Sequence, residues 1–152
     1  MSEHEIHTIC KKYEIKNYTI NLDGSIDVVD SVYLNGRNLT EIPLQFNYVW
    51  GSFSCNNNKL TTLKGCPKRV FGQYFQCQQN MLIDLEYFPI VEDYTRSFVG
   101  MNPLKSISGY NGDINHLSCE NKDRLIRKQK LNNILLKLWY LEYYYYICHL
   151  KN

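Results

Sequence analysis

The chain has 152 residues, of which 44% are hydrophobic and 21% are charged, and this is the composition of an ordinary globular domain with room for one thin core. Its formal net charge of +2 is too small to predict a nucleic-acid partner by itself. No stretch approaches the ~20 consecutive apolar residues that a membrane-spanning helix needs. The mixed charges at the N-terminus also do not resemble a signal peptide.

A helix followed by a hairpin is predicted at the N-terminus. Residues 3 to about 16 place apolar side chains at helical spacing. Residues 18–28 alternate in polarity around the pair Asp23-Gly24, which is a strong signal for a tight hairpin turn. A repeat array needs such a segment, because its first strand would otherwise present an open edge. We therefore predict that residues 1–31 cap the front of the structure.

Apolar residues then recur at intervals of 21 or 22 residues through the middle of the chain. A unit of this length cannot bury its own apolar side, so successive units must stack on one another. We therefore predict an α+β repeat fold, a short solenoid of parallel strands with an irregular convex side, over residues 32–122. It should have four to five coils, of which the last is degenerate. The recurring positions are Leu39, Leu60, Leu82 and Leu104; Ile42, Leu63, Leu85 and Ile107; Leu34, Cys55, Cys77 and Val99; and Asn58, Asn80 and Asn102.

The second unit carries the pattern Cys-x-x-Asn-x-Leu-x-x-Leu from Cys55 to Leu63, followed by a Gly-Cys-Pro turn at residues 65–67. In this pattern the chain resembles the leucine-rich repeat proteins, and more narrowly the short repeats of bacterial, bacteriophage and large DNA virus proteins. The resemblance covers residues 32–107, and the lead-in of residues 9–28 is similar as well. It implies a solenoid that recognises another protein, and a viral or phage accessory protein that binds a host factor.

Three departures from the repeat stand out. Arg37 occupies the position where the first unit should have its asparagine. Residues 93–97 interrupt the strand pattern that should open the fourth unit. A fifth unit, residues 112–121, is predicted to have lost the register altogether.

Strand alternation divides each unit into inward and outward side chains. Val32, Leu34 and their equivalents should point inward. The outward face is polar and almost uncharged, with aromatic rings near its ends, and aromatic rings and amides are favoured at protein interfaces. We predict that this face binds another protein; the alternative is that its polar side chains only keep the sheet hydrated. The predicted contact residues are Tyr33, Asn35, Ser54, Asn56, Gln76, Gln78 and Phe98.

The recurring asparagines Asn58, Asn80 and Asn102 are predicted to be structural. An asparagine at a turn can bond the backbone of the neighbouring coil, whose polar groups would otherwise be buried without partners. A catalytic or ligand-binding ladder is the less favoured interpretation. The four histidines are scattered, and none lies beside both a plausible nucleophile and an orienting acid. Cys148 and His149 are adjacent, but adjacent residues on a helix face different directions. The sequence thus predicts no enzyme, no catalytic residue, no metal site and no cofactor.

The six cysteines contain no Cys-x-x-Cys pair. Cys55 and Cys77 occupy the slot that Leu34 and Val99 fill in other units. Cysteine behaves as a small hydrophobic residue and is often fully buried. We therefore predict buried, reduced thiols and a cytoplasmic, intracellular setting, which includes that of a host cell.

The last segment, residues 123–152, is predicted to form a long helix that Asp123 caps. It is basic in its first half and rich in aromatic residues in its second, with five tyrosines between Tyr140 and Tyr146. Three roles stay open: a cap for the last coil, a cap that also supports self-association or docking, and contact with a membrane surface. The alternative function is therefore a structural protein tethered to a membrane or an assembly by this helix. Its apolar stripe is Leu131, Ile134, Leu135, Leu138, Leu141, Tyr145 and Cys148.

Overall fold

The computed structural model describes residues 1–149, and the side chains of residues 1–140. The chain forms a first compact unit, Met1–Glu120, and a second one that begins at Asn121. The second unit contains the helix α2 (Lys122–His149). In chain order the first unit contains α1 (Glu3–Lys12), β1 (Tyr18–Ile20), β2 (Ile26–Val28), β3 (Val32–Tyr33), β4 (Phe46–Val49), β5 (Phe53–Ser54), β6 (Arg69–Val70), β7 (Tyr74–Gln76), β8 (Ile90–Val91), β9 (Arg96–Phe98), a 3-10 helix (Ile114–His116) and β10 (Leu117–Ser118).

Helix α1 begins with a capping box. The Ser2 hydroxyl accepts a hydrogen bond from the backbone N–H of Glu5, and the Glu5 carboxylate accepts one from the backbone N–H of Ser2 at 2.7 Å. The bond from the Ser2 N–H to the carboxylate, and a second from the Ser2 hydroxyl at 3.0 Å, favour the ionised form and lower the pKa of Glu5. The helix ends at Lys12, earlier than predicted, because Glu14 adopts a left-handed backbone with φ of 58°.

The predicted hairpin is confirmed. Strands β1 and β2 pair antiparallel, and Gly24 in the turn has a φ of +78°, which glycine adopts without steric penalty. On its other side β2 pairs in parallel with β4. The hairpin therefore opens a five-stranded sheet of order β1-β2-β4-β6-β8, which we call the hairpin sheet.

The remaining strands form an all-parallel sheet of order β3-β5-β7-β9-β10, which we call the repeat sheet. The stacked-coil solenoid is therefore confirmed. The convex side is not fully irregular, because the segments after the first three pairs of recurring leucine positions each add a short strand, β4, β6 or β8, to the hairpin sheet. The predicted loss of register in the fifth coil is wrong: β10 pairs in parallel with β9, and Leu117 fills the inward slot opposite Ser97.

Stacked apolar rows form the core of the first unit. The side chains predicted to point inward, from Val32 to Val99, are at most 1% exposed. Phe53 and Phe75 stack on one another with ring centroids 5.9 Å apart. In the leucine row, Leu60 and Leu82 are fully buried, whereas Leu39 and Leu104 in the outer coils are half-buried.

The asparagine ladder is confirmed as structural. The Asn80 Oδ1 accepts a hydrogen bond from the Leu60 N–H at 3.0 Å. Its Nδ2 donates to the carbonyl oxygens of Cys55 and Cys77 at 3.0 and 3.1 Å, and so joins two coils. Asn58 and Asn102 bond the coils in front of them in the same way. Each ladder side chain satisfies backbone groups that burial would otherwise leave unpaired.

The same geometry explains why the first unit departs from the repeat. No coil of the repeat sheet precedes β3, so an asparagine at position 37 would have no backbone groups of a preceding coil to bond. Arg37 is exposed there instead, and its guanidinium lies 5.9 Å from the centroid of the Tyr13 ring. One position earlier, every coil has a left-handed residue, with φ between 54° and 64°. These residues are Gly36, Asn57, Gln79, Met101 and Asn121.

The prediction of buried thiols is confirmed for Cys10, Cys55, Cys66 and Cys77, while Cys119 is half-buried. None of these five forms a disulfide. Burial disfavours the thiolate and raises the pKa of Cys10, and it raises the pKa values of Cys66 and Cys77 well above the usual range. The Cys148 side chain lies outside the described residues.

We expect these four thiols to be almost unreactive in the folded protein. Burial excludes the reagent from all four thiols, and the raised pKa values of Cys10, Cys66 and Cys77 also lower their thiolate fractions at neutral pH. In a chain carrying Cys119→Ser and Cys148→Ser, a disulfide reagent should label the native protein at least about a thousandfold more slowly than the urea-unfolded protein, because labelling needs local unfolding. Rapid labelling of two or more thiols without urea would contradict this burial.

Helix α2 is confirmed, although Asp123 lies within its first turn instead of capping it. A carboxylate there still interacts favourably with the helix dipole. The predicted stripe is exposed where its side chains are described: Leu131, Ile134, Leu135 and Leu138 are 52–56% exposed. Its last members, Leu141, Tyr145 and Cys148, and the tyrosines after Tyr140 lie outside the described side chains. Over the described part of the chain, no helix is long and apolar enough to cross a membrane.

Candidate binding surface on the repeat sheet

The outward side of the repeat sheet, which we call the strand face, carries the predicted contact residues. Register places Ser54 beside Gln76 and Gln76 beside Phe98 on adjacent strands. Tyr33 lies at the β3 end of this row and is 59% exposed. Asn35, Asn56 and Gln78 each follow two residues later in their coils and form a second row. Asn35 is exposed, whereas Asn56, Gln76, Gln78 and Phe98 are half-buried.

Ser54 is the exception, because it is only 1% exposed although it belongs to the outward row. Its hydroxyl oxygen lies 2.7 Å from Asn35 Oδ1 and 3.0 Å from Gln76 Oε1. These two longer side chains therefore cover it. A partner on the strand face would touch Asn35 and Gln76, and Ser54 serves to hold them.

The amide row is a second ladder that sequence reasoning missed. The Asn35 Oδ1 accepts a hydrogen bond from the Asn56 N–H at 2.9 Å, and the Asn56 Oδ1 accepts one from the Gln78 N–H at 3.1 Å. These amide oxygens are therefore already engaged within the solenoid. Their side chains are fixed in place, which lowers the entropy that a partner would have to remove on binding.

A further pair of outward side chains on the strand face, those of Tyr74 and Arg96, was also missed. They are opposite each other on β7 and β9, one alternation step before Gln76 and Phe98, and both are exposed. The rings of Tyr74 and Phe98 have centroids 6.2 Å apart. The signal was available, because extending the alternation of Gln76 two residues upstream reaches Tyr74.

Tyr74 and Arg96 line a shallow pocket of about 280 Å³ together with Gln73 and Tyr94. The Tyr94 hydroxyl donates a hydrogen bond to the Phe71 carbonyl oxygen at 2.7 Å, which fixes this wall of the pocket. The Arg96 guanidinium forms no ion pair with any side chain that the structure describes. The strand face thus ends in a patch of aromatic rings around one unpaired positive charge.

The described side chains bring together no group of three or more His, Cys, Asp or Glu residues that could hold a metal ion. The chain matches no known protein family, no curated protein and no solved structure.

Proposed function

We propose that the chain is a short leucine-rich repeat protein that binds another protein through the strand face. The observation that carries the proposal is a set of aromatic and arginine side chains on the outward side of the parallel sheet. Tyr33, Tyr74 and Arg96 are exposed, and Phe98 is half-buried beside Tyr74. Tyrosine and arginine are enriched among the residues that dominate binding energy at protein interfaces. Repeat solenoids use such extended sheet surfaces for recognition.

The internal bonding of the strand face supports the same proposal. Asn35, Asn56 and Gln76 are held by neighbouring coils, so the face is already organised before a partner arrives. Preorganisation raises affinity because fewer side chains lose freedom on binding. The resemblance in the repeat motif extends the proposal to an accessory protein of a virus or phage whose partner is a host factor.

The second candidate function is tethering through α2. All side chains from residue 131 to residue 140 are exposed, and they include Leu135, Leu136 and Trp139. A helix with exposed apolar residues and a basic first half is suited to another protein or to an anionic membrane surface.

Affinity capture from the native cell, followed by titration of the captured protein in purified form, tests both candidates. The strand-face variant carries Tyr33→Ala, Gln76→Ala and Phe98→Ala. A matched control carries three alanines at exposed positions of the second coil outside the strand face, Lys59, Thr61 and Lys64. A third chain lacks residues 124–152.

Under the strand-face proposal, the triple variant should weaken binding at least about a hundredfold, because hot-spot truncations each cost about 1–2 kcal/mol or more. The control and the truncated chain should keep the same partner. Undiminished binding by the triple variant would overturn the proposal. Loss of partner or vesicle binding only on removal of residues 124–152 would assign the function to α2.

A further inference from the structure

The outward side of the hairpin sheet carries an exposed apolar cluster that the strand-face function does not use. Register aligns Tyr48 with Arg69 and Arg69 with Ile90 on adjacent strands. Trp50 lies two residues after Tyr48, and Phe71 lies two residues after Arg69. Val29 holds the position that corresponds to Trp50 in the preceding coil. We call Val29, Tyr48, Trp50, Phe71 and Ile90 the hairpin-sheet patch.

The rings of this patch lie against one another. Trp50 and Phe71 meet edge to face with centroids 4.4 Å apart, and Tyr48 stacks on Trp50 at 5.8 Å. Despite these contacts Val29 is 60% exposed, Ile90 50%, Trp50 49% and Tyr48 39%. The repeat sheet shows that an outward face of this solenoid can carry amide side chains such as Asn35 and Gln78. An apolar patch on the other sheet is therefore not a requirement of the coil.

The charge at the centre of the patch, on Arg69, is paired internally, while the Asp27 carboxylate at its edge accepts hydrogen bonds from Asn47 Nδ2 and the Tyr48 N–H at 2.8 and 3.0 Å. The Arg69 guanidinium lies 5.4 Å above the Phe71 ring, and its Nε lies 3.8 Å from the Glu92 carboxylate. The centre of the patch therefore presents no excess charge of one sign that would select a strongly charged partner. Two copies of such a surface can meet at its centre without like-charge repulsion, which is one requirement of a self-complementary interface.

The exposed apolar area of the patch is also large enough for an interface between two copies of the chain. Taking about 200 Å² as the average full area of these aromatic and aliphatic residues, the exposed fractions of Val29, Tyr48, Trp50 and Ile90 give an apolar patch of about 400 Å². Because protein interfaces are about 57% apolar, a patch of this size supports about 700 Å² of buried surface per copy. Two copies would then bury about 1,400 Å², which is within the standard range for a specific dimer.

We propose that the hairpin-sheet patch binds a second copy of the chain, with the two hairpin sheets packed face to face. Sheets pack in this way at about 10 Å when their facing sides are apolar. The interface leaves the strand face of each copy open, since that face belongs to the other sheet. The dimer would present two strand faces and so gain avidity for a multivalent partner.

Sedimentation equilibrium of the full chain over a concentration series up to about 0.5 mM, where weak dimers of this interface size are populated, tests the proposal. We expect a reversible monomer–dimer equilibrium whose dissociation constant rises at least tenfold in Tyr48→Ser/Trp50→Ser. An independent variant, Ile90→Lys, should have the same effect through charge repulsion between the copies. The matched control is Met81→Ser/Ile83→Ser, which removes two apolar side chains of similar exposure that belong to neither surface.

Circular dichroism of each variant establishes that it is folded. A chain that stays monomeric throughout the series overturns the proposal, and so does a dimer that both patch variants leave unchanged. A dimer abolished only by Leu135→Glu/Leu138→Glu assigns self-association to α2 and also overturns it. None of these outcomes alters the test of the strand face, which measures a different surface.

Discussion

Replacing Asn80 with alanine is expected to reduce the free energy of unfolding by about 3–5 kcal/mol, because several buried polar groups lose their partner at once. Asn80 is 4% exposed. Its side chain accepts from the Leu60 N–H and donates to two carbonyl oxygens, those of Cys55 and Cys77. Alanine would leave these backbone groups buried without hydrogen bonds. Urea denaturation followed by circular dichroism measures the change.

Two further variants show whether the ladder itself causes the loss. Asn111 is exposed and is not part of the asparagine ladder, so Asn111→Ala should change the free energy of unfolding by less than about 0.5 kcal/mol. Asn80→Asp keeps the shape and the acceptor oxygen but places a carboxylate against two carbonyl oxygens, so it should also destabilise strongly. If the free energy of unfolding of Asn80→Ala is within about 1 kcal/mol of that of the parent chain, the ladder does not hold the coils together.

Replacing Gly72 with alanine is expected to cost at least about 3 kcal/mol of unfolding free energy, because backbone cannot move aside as a flexible side chain can. A Cβ atom at this position would lie 2.3 Å from the Gly51 carbonyl carbon and from the Ser52 nitrogen in the preceding coil. The coils approach one another this closely at the corner between the two sheets. The added methyl group would therefore force them apart.

Gly100→Ala is the matched control for this prediction. The nearest heavy atom to a Cβ at Gly100 is the Cys119 Cα, 4.0 Å away. Its φ is also outside the left-handed region, so alanine should be neutral or slightly stabilising through the lower entropy of the unfolded chain. Equal thermal unfolding midpoints for Gly72→Ala and Gly100→Ala would show that the coils are not packed as closely as described.

The stacking of the coils could be predicted from sequence because it depends on spacing alone. Residues at the same repeat position, such as Leu60 and Leu82, have to share a row once the coils stack. The asparagine ladder followed for the same reason, since an amide at a fixed turn position has the neighbouring backbone within reach. The prediction was confirmed at Asn58, Asn80 and Asn102, and the departure at Arg37 is explained because the first coil has no predecessor in its sheet.

The hairpin sheet could not be predicted in the same way. Strands such as Arg69–Val70 and Ile90–Val91 have two residues each, too few for an alternating pattern to be visible. Their pairing is a consequence of coil stacking, not of local sequence. The aromatic cluster of Tyr48, Trp50 and Phe71 was hidden for this reason.

The candidate site was predicted only in part. Alternation correctly placed the outward side chains on the strand face. It does not predict which of these side chains are covered by longer side chains from neighbouring coils. Ser54 points outward and is nevertheless buried, because Asn35 and Gln76 are longer and lean over it. Arg96 was missed because residues 93–97 do not look like a strand, although β9 forms there in register with β7.

The most direct test of the stacked solenoid is a nuclear Overhauser spectrum of the full chain with protonated Phe and Leu side chains. The structure places the Phe53 and Phe75 rings 5.9 Å apart and buries Leu60 and Leu82 completely in adjacent coils. Cross-peaks should therefore connect Phe53 with Phe75 and the methyl groups of Leu60 with those of Leu82, residues that lie 22 apart in sequence. If both sets of cross-peaks are absent from assigned spectra, the coils are not stacked as described. The strand face, which depends on that stacking, would then be contradicted as well.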